Sequence, residues 1–207
     1  MTTLTPEINP ADVTFNDDDH TYWHGLERLP SVSELMRPIT DPYLLGIPEH
    51  ILEWKRELGV ATHLACDLWD KGILDEEALD PEIVPYLEAW KKFTVDMRPG
   101  WDAAEQVVVN SAYRYAGTID RIGGMNGNPV IVDIKTTLKG QPHHAVQLAL
   151  YSMAAHAEAS ELIVVRLKKD GDYCLDMHSF DLAQPCALGL IEISRWQRAN
   201  TPERKRK

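Results

Sequence analysis

The chain has 207 residues, 44% hydrophobic and 26% charged, with six tryptophans and seven tyrosines, which excludes a disordered chain and suits one domain with a sizeable core. No apolar run reaches the roughly 18 residues of a membrane span, and no basic-then-apolar leader opens the chain, so a cytoplasmic location is expected. Its net charge of −11 argues, taken alone, against a nucleic-acid partner.

From the N-terminus, Thr14 to Trp23 predicts a short hairpin turning at Asn16 to Asp19. The acidic run there lacks the spaced ligands and closing Glu of a calcium loop, so it is a turn. Ser31-Val32-Ser33-Glu34 has capping-box spacing and starts a short helix expected to stop before Pro38, with loop from Pro42 to Pro48. Apolar residues at three- and four-residue steps predict helix from Pro48 to Asp70, with Gly59 as a candidate break and Gly72 as the stop. A further helix runs to about Met97, entered at either Asp80-Pro81 or Val84-Pro85. Strands follow over Glu105–Val109, Ala112–Ile122 and Val130–Thr136. A helix over Pro142–Glu158 comes next, with Val146, Leu150 and Met153 on one side. A hairpin of Leu162–Leu167 and Tyr173–Phe180 turns at Asp170-Gly171, and a helix from Leu182 to about Ala199 closes the chain. The order implies an α/β (α+β) domain around one central mixed β-sheet flanked by helices, with an N-terminal hairpin.

The last thirteen residues, Arg195 to Lys207, hold six bases against one acid, leaving 15 bases and 31 acids, a balance of −16, in the first 194. Such a tail is either a solvated terminus or a phosphate contact. Cys66, Cys174 and Cys186 are odd in number and outside any CxxC pair. They fit reduced thiols and exclude a self-sufficient four-cysteine metal or iron–sulfur site.

The chemistry concentrates on one hairpin. Asn126-Gly127 favours a two-residue type I′ turn, because both central residues need φ > 0. With that tip, Asp120 falls opposite Asp133, and two facing carboxylates repel unless something neutralises them. A divalent cation does so with its preferred oxygen ligands. Lys135, two residues beyond Asp133, lies on the same face, while Val130, Val132 and Ile134 supply an apolar opposite face. Carboxylates for a metal plus a lysine are the parts of metal-assisted hydrolysis. The alternative is a solvent-exposed hairpin in which Asp133 and Lys135 are just neighbours.

Gly117-Thr118-Ile119-Asp120, then Val132-Asp133-Ile134-Lys135-Thr136, then Gln147-Leu148-Ala149-Leu150-Tyr151, together resemble the core of the PD-(D/E)XK nuclease superfamily. The RecB-type and phage recombination exonuclease branch is most similar. A looser resemblance reaches back to Gly59-x-x-x-His63 and to Pro30-Ser31-Val32-Ser33. The resemblance implies a restriction-endonuclease-like core in a single domain over 1–207. Residues 1–47 would form the hairpin and cap, 48–194 the core and 195–207 a basic tail. It makes Asp120 and Asp133 metal carboxylates, the Ile134 carbonyl and His63 further ligands, and Lys135 the catalytic lysine. Gln147 and Tyr151, one helical turn apart, are placed beside the site and the nucleic-acid backbone. Asp67 is expected to orient the second ring nitrogen of His63. Glu105 is either a further carboxylate or a cap. His143-His144 is either a DNA-facing pair or a solvated helix start. Tyr113 and Tyr115 are expected in the core rather than as base-stacking rings.

The implied activity is a Mg²⁺- or Mn²⁺-dependent DNA exonuclease without an iron–sulfur cluster, acting on linear DNA in phage or bacterial recombination or repair. Lys135, Lys139 and the basic tail are its candidate DNA surface. An endonuclease, a catalytically weak DNA-end-binding accessory protein and a plain interaction module are the rivals. A single-strand annealing protein and a homo-oligomer are implied partners, and a membrane is not. No G-x-x-x-x-G-K-[ST] loop accompanies these motifs.

Overall fold

The computed structural model describes residues 7–16, 19–157 and 160–200. Three short antiparallel strands open the fold, β1 (Val13–Asn16), β2 (Thr21–His24) and β3 (Glu27–Leu29), in the order β1-β2-β3. The expected hairpin is present and gains a third strand, while Asp17 and Asp18 of its turn lie outside the described residues. Tyr22 and Leu29 are buried with Ile8, Val109 and Ala116, which anchors the small sheet to the main one.

Helix α1 (Val32–Leu44) begins with the predicted capping box: Ser31 Oγ accepts from the Glu34 amide and the Glu34 carboxylate accepts from the Ser31 amide. It does not stop before Pro38. Pro38 and Pro42 lie inside it, both exposed, so the carbonyls they leave without intrahelical donors face solvent. Val32, Leu35 and Met36, on the other face, are packed into the core. Packing overrides the breaker rule here. The expected 42–48 loop is shortened accordingly.

Helix α2 (Glu49–Asp70) runs unbroken through Gly59 and ends where Gly72 adopts φ +68. Helix α3 (Val84–Met97) takes the second of the two expected entries, with Pro85 in its first turn. The main sheet follows: β4 (Gly100–Asn110), β5 (Tyr115–Met125) and β6 (Asn128–Lys135), then α4 (Pro142–Ala155), β7 (Glu161–Leu167), β8 (Tyr173–His178) and α5 (Phe180–Asn200). Strand order is β4-β5-β6-β7-β8. β6 and β7 are parallel, linked by α4, and the other neighbours are antiparallel. The α/β fold with a mixed sheet flanked by helices is as expected. β4 starts earlier than predicted, and β5 later, because Ser111 to Arg114 form a turn with Arg114 at φ 58. α4 ends at Ala155, short of Glu158, which lies outside the described residues. α5 carries Arg195 and Arg198 within it, and residues 201–207 of the basic tail are outside the description. The three cysteines are free. Among the described residues, no helix is long and apolar enough to cross a membrane.

Alternation along β6 divides the core. Val130, Val132 and Ile134 face α2 and α3, where Trp90 and Phe93 are fully buried. Ile131 faces α1, α4 and α5. Asp133 shares the parity of Ile131 and is 2% exposed, a carboxylate in the middle of a packed face.

A buried ion pair ties α2, α3 and β5 together. Arg121, with no exposed surface, donates from Nε to Asp70 at 2.9 Å, and the Trp90 indole donates to the same carboxylate at 2.9 Å. The guanidinium also lies over the Trp90 ring, 5.4 Å from its centroid. Removing one partner of a buried pair costs about 3–5 kcal/mol, because the other charge is left uncompensated. Arg121→Met is therefore expected to lower unfolding stability by about that amount in denaturant titrations.

His144, in the first turn of α4, is 3% exposed rather than solvated as one expectation had it. Burial first, then the charges of Lys135, His143 and His178, push its pKa down to about 3. The unfolded chain binds a proton near pH 6.5 and the folded chain does not, so stability falls as pH drops below 6.5. His144→Leu removes that term. Its melting temperature is expected to gain on wild type between pH 7 and pH 4, by the equivalent of about 2–3 kcal/mol. A constant difference across the range would refute the assignment.

Candidate active site

The Asn126-Gly127 turn has the required positive φ at both residues, 53 and 85. It sets the predicted register, with Met125 opposite Asn128 and Arg121 opposite Val132. The ladder ends there, one step short of the expected Asp120–Asp133 pair. In place of backbone pairing, Asp120 Oδ2 accepts from the Ile134 amide at 2.6 Å. Ile119 and Ile122 pack against the same core although three residues apart, so the pleat of β5 slips at this point. The slip turns Asp120 out of regular alternation.

Across the other edge of β5, β4 is irregular too. Ala104 pairs with Arg121 and Gln106 with Ile119, while Glu105 between them has φ 48. A left-handed residue inside a strand is strained, and strain of this kind gathers at functional sites. The kink directs the Glu105 carboxylate toward Asp120. His63, on α2, completes the group: His63, Glu105 and Asp120 offer ligand atoms within 4.8 Å of one another. The His63 ring meets two of the three other expected ligands, with Nε2 2.8 Å from the Ile134 carbonyl and Nδ1 3.5 Å from Asp120 Oδ1. One imidazole with carboxylate and carbonyl oxygens is a donor set for a divalent metal ion.

Asp133 has a different partner. Its carboxylate accepts from Lys135 Nζ at 2.9 Å and stands outside the convergent trio. Lys135 and Asp120 line a cleft of about 640 Å³ with His63, Glu105 and Tyr151. Asp67 also reaches the cleft but does not orient His63: it is bound to Lys71 at 2.6 Å, and both His63 nitrogens are engaged elsewhere.

The electrostatics separate the two aspartates. Burial alone would raise Asp120, but the His63 ring, Lys135 and the Ile134 amide outweigh it and hold the group low. Burial raises Asp133, Lys135 pulls against it, and Asp120 adds to the rise. Burial disfavours a charged His63, yet the charge of Asp120 and its hydrogen bond lift that pKa to about 9. Lys135 likewise keeps its proton, because Asp133 and Asp120 outweigh burial. Burial raises Glu105, and Asp120 adds to it. Charged His63 and Lys135 thus neutralise a site that gathers three carboxylates.

The third motif serves as a wall. Gln147 Nε2 donates to the Tyr151 hydroxyl at 3.3 Å, one turn on along α4. The Tyr151 ring lies so close to Gly117 that an added Cβ would stand 2.7 Å from Cε1 and 2.9 Å from Val32 Cγ2. The glycine of the first motif is therefore required by the tyrosine of the third.

Behind the cleft, Arg121 donates to the Asp120 carbonyl at 2.6 Å and lies 3.5 Å from Glu105 Oε1. Sequence reasoning passed over it. The available signal was a cation directly after Asp120 and between Ile119 and Ile122, in a strand that is mostly apolar. It also passed over Phe15, His20 and Tyr22 of the N-terminal sheet, which line the same cleft.

No curated protein matches the chain in sequence. The crystal structure of SSO0001 overlaps 84% of this chain and 76% of that one, at 18% identity and a TM-score of 0.39. The family profile of the PD-(D/E)XK nuclease superfamily matches residues 45–173, from the end of α1 to the start of β8. That span contains His63, Glu105, Asp120, Asp133, Lys135, Gln147 and Tyr151, and the chain belongs to the PD-(D/E)XK nuclease superfamily.

Proposed function

We propose that this protein is a Mg²⁺- or Mn²⁺-dependent deoxyribonuclease of the RecB-type branch, a single domain acting as an exonuclease on linear DNA in phage or bacterial recombination or repair. The observation that carries the catalytic part is the convergence of His63, Glu105 and Asp120 beside Lys135 in one cleft. A bound divalent cation supplies phosphate polarisation and an acidified water. His63, Glu105, Asp120 and the Ile134 carbonyl are the groups that would hold it. Asp133 joins them if its carboxylate releases Lys135.

The chain's own residues supply the rest. Lys135 keeps its charge and presents it to the cleft, where it stabilises negative charge developing on a phosphate. Asp133 fixes the position of that ammonium. Arg56, on the rim of the cleft, offers a second cation to the backbone of the strand. Gln147 and Tyr151 close the side toward α4 and limit water access. DNA is the proposed substrate. A single-strand annealing protein and further copies of the chain are proposed partners.

Purified protein tested on linear and covalently closed duplex DNA with Mg²⁺, Mn²⁺ or EDTA examines this reading. Degradation of linear but not closed DNA, abolished by EDTA, is expected. Asp120→Asn and Lys135→Ala should each lower the rate by at least about 10²–10³-fold, the scale of losing one electrostatic stabiliser. Equal activity of these variants and wild type would refute the assignment, and cleavage of closed circles would select an endonuclease.

Gly117→Ala tests the packing of the wall. The methyl must displace Tyr151 or α1, so a loss of activity and a cost of about 1–3 kcal/mol are expected. Gly124→Ala, where the nearest atom to an added Cβ is 3.7 Å away, serves as the mild control.

A further inference from the structure

The N-terminal sheet brings three rings to the catalytic cleft that no part of the proposed hydrolysis uses. Tyr22 is buried at 5% exposure and its hydroxyl lies 2.8 Å from Thr118 Oγ1, two residues before Asp120. Phe15, half-buried, packs on Tyr22 with centroids 4.8 Å apart. His20, exposed, packs on Phe15 at 5.4 Å. The rings therefore step outward from the protein interior to solvent along one wall. His63, Asp120 and Lys135 line the same cleft.

We infer that Phe15 and His20 form a stacking platform for an unpaired nucleobase of the strand whose phosphate lies at Lys135. This rests on the nuclease reading and adds to it the form of the substrate, a single strand or frayed end. Aromatic faces take any base, since every base has a π-face, and the wall is uncharged except where His20 is protonated. The base thus meets the rings while its phosphates meet Lys135 and Arg56, a division of chemistry suited to single-stranded nucleic acid. The cleft, about 640 Å³, is in the range of small-ligand sites, so a single nucleotide unit fits beside these rings. Phe15 is tethered through Tyr22 to the strand that carries Asp120, so the platform holds a set position relative to the scissile phosphate.

Binding of a 5′-fluorescein single-stranded oligonucleotide by the full chain, followed by anisotropy in EDTA, tests the platform without cleavage. Phe15→Leu and His20→Ala are expected to weaken binding by roughly 5- to 100-fold, the scale of one base–aromatic stack, and Phe15→Trp to preserve it. His20 is exposed, so its variant reports even if Phe15 variants fold poorly. An oligonucleotide of abasic sites should bind wild type and Phe15→Leu alike. Equal affinity of wild type, Phe15→Leu and His20→Ala for the natural oligonucleotide overturns the inference, as does equal wild-type affinity for natural and abasic strands. Hydrolysis of bis(p-nitrophenyl) phosphate with Mn²⁺ separates the two readings. Base-dependent binding that is lost in Phe15→Leu, together with hydrolysis of this ester by the wild type, supports both readings. No hydrolysis of this ester or of DNA, with base-dependent binding intact, supports the platform and overturns the nuclease.

Discussion

The burial of two carboxylates, with a third beside one of them, at one opening of a β-sheet is the constraint around which this fold is arranged. Asp120 and Asp133 are both nearly inaccessible, and Glu105, on a strained backbone, is brought close to Asp120. Like charges so close in a region of low dielectric repel strongly unless each finds a counter-charge. His63 arrives from α2, Lys135 from β6, and Arg121 stands beneath Glu105. Lys135 compensates Asp133 within β6, but Asp120 and Glu105 meet their counter-charges only when α2, β4 and β5 have come together. The site and the fold are therefore specified together.

Asp120 has a second role that follows from where the ladder stops. Beyond Arg121 and Val132 the backbone of β6 has no β5 partner, and the Ile134 amide would be buried without an acceptor. The carboxylate takes that amide with one oxygen and faces His63 with the other. Opening the two strands thus makes the cleft, and the side chain that stabilises the opening is the one the proposed chemistry uses. Removing this carboxylate is expected to harm the hydrogen bonding of β6 as well as the site. An amide at position 120 keeps an acceptor there and makes the fairer probe of chemistry.

Much of this was legible in the residue pattern. The Asn126-Gly127 turn and the flanking β-rich runs set a register that the strands follow, because only one turn type suits that dipeptide. The Ser31–Glu34 cap was readable for the same local reason. What escaped was non-local. Pro38 and Pro42 are breakers in isolation, yet α1 continues because one face is held by the core. The three-residue strand β3 has too little sequence to show a period. The departure of Asp120 from its ladder breaks the two-residue period on which strand reading depends, and Glu105 needs a kink that no propensity predicts. The partner of Asp67 was misjudged because spacing places a side chain on a helix face without saying which neighbour it meets. Arg121 drew no notice, since its acid, Asp70, lies on a helix far away in sequence.

The same distinction between position and sum resolves the net charge of −11. Binding of a polyanion depends on the potential where phosphates approach, and screening confines that potential to about 8–10 Å at ordinary ionic strength. Many acids lie outside that range or are already paired, as Glu27 is with Arg114, Asp176 with Arg166 and Asp172 with Lys92 and Lys168. Within the cleft, Lys135, Arg56 and a charged His63 face Asp67, Glu105 and Asp120, close to balance. A divalent cation added to such a site tips the local sign to positive without altering the remote acids. On the nuclease reading proposed above, a site so balanced is expected to hold a phosphate backbone firmly only with metal present.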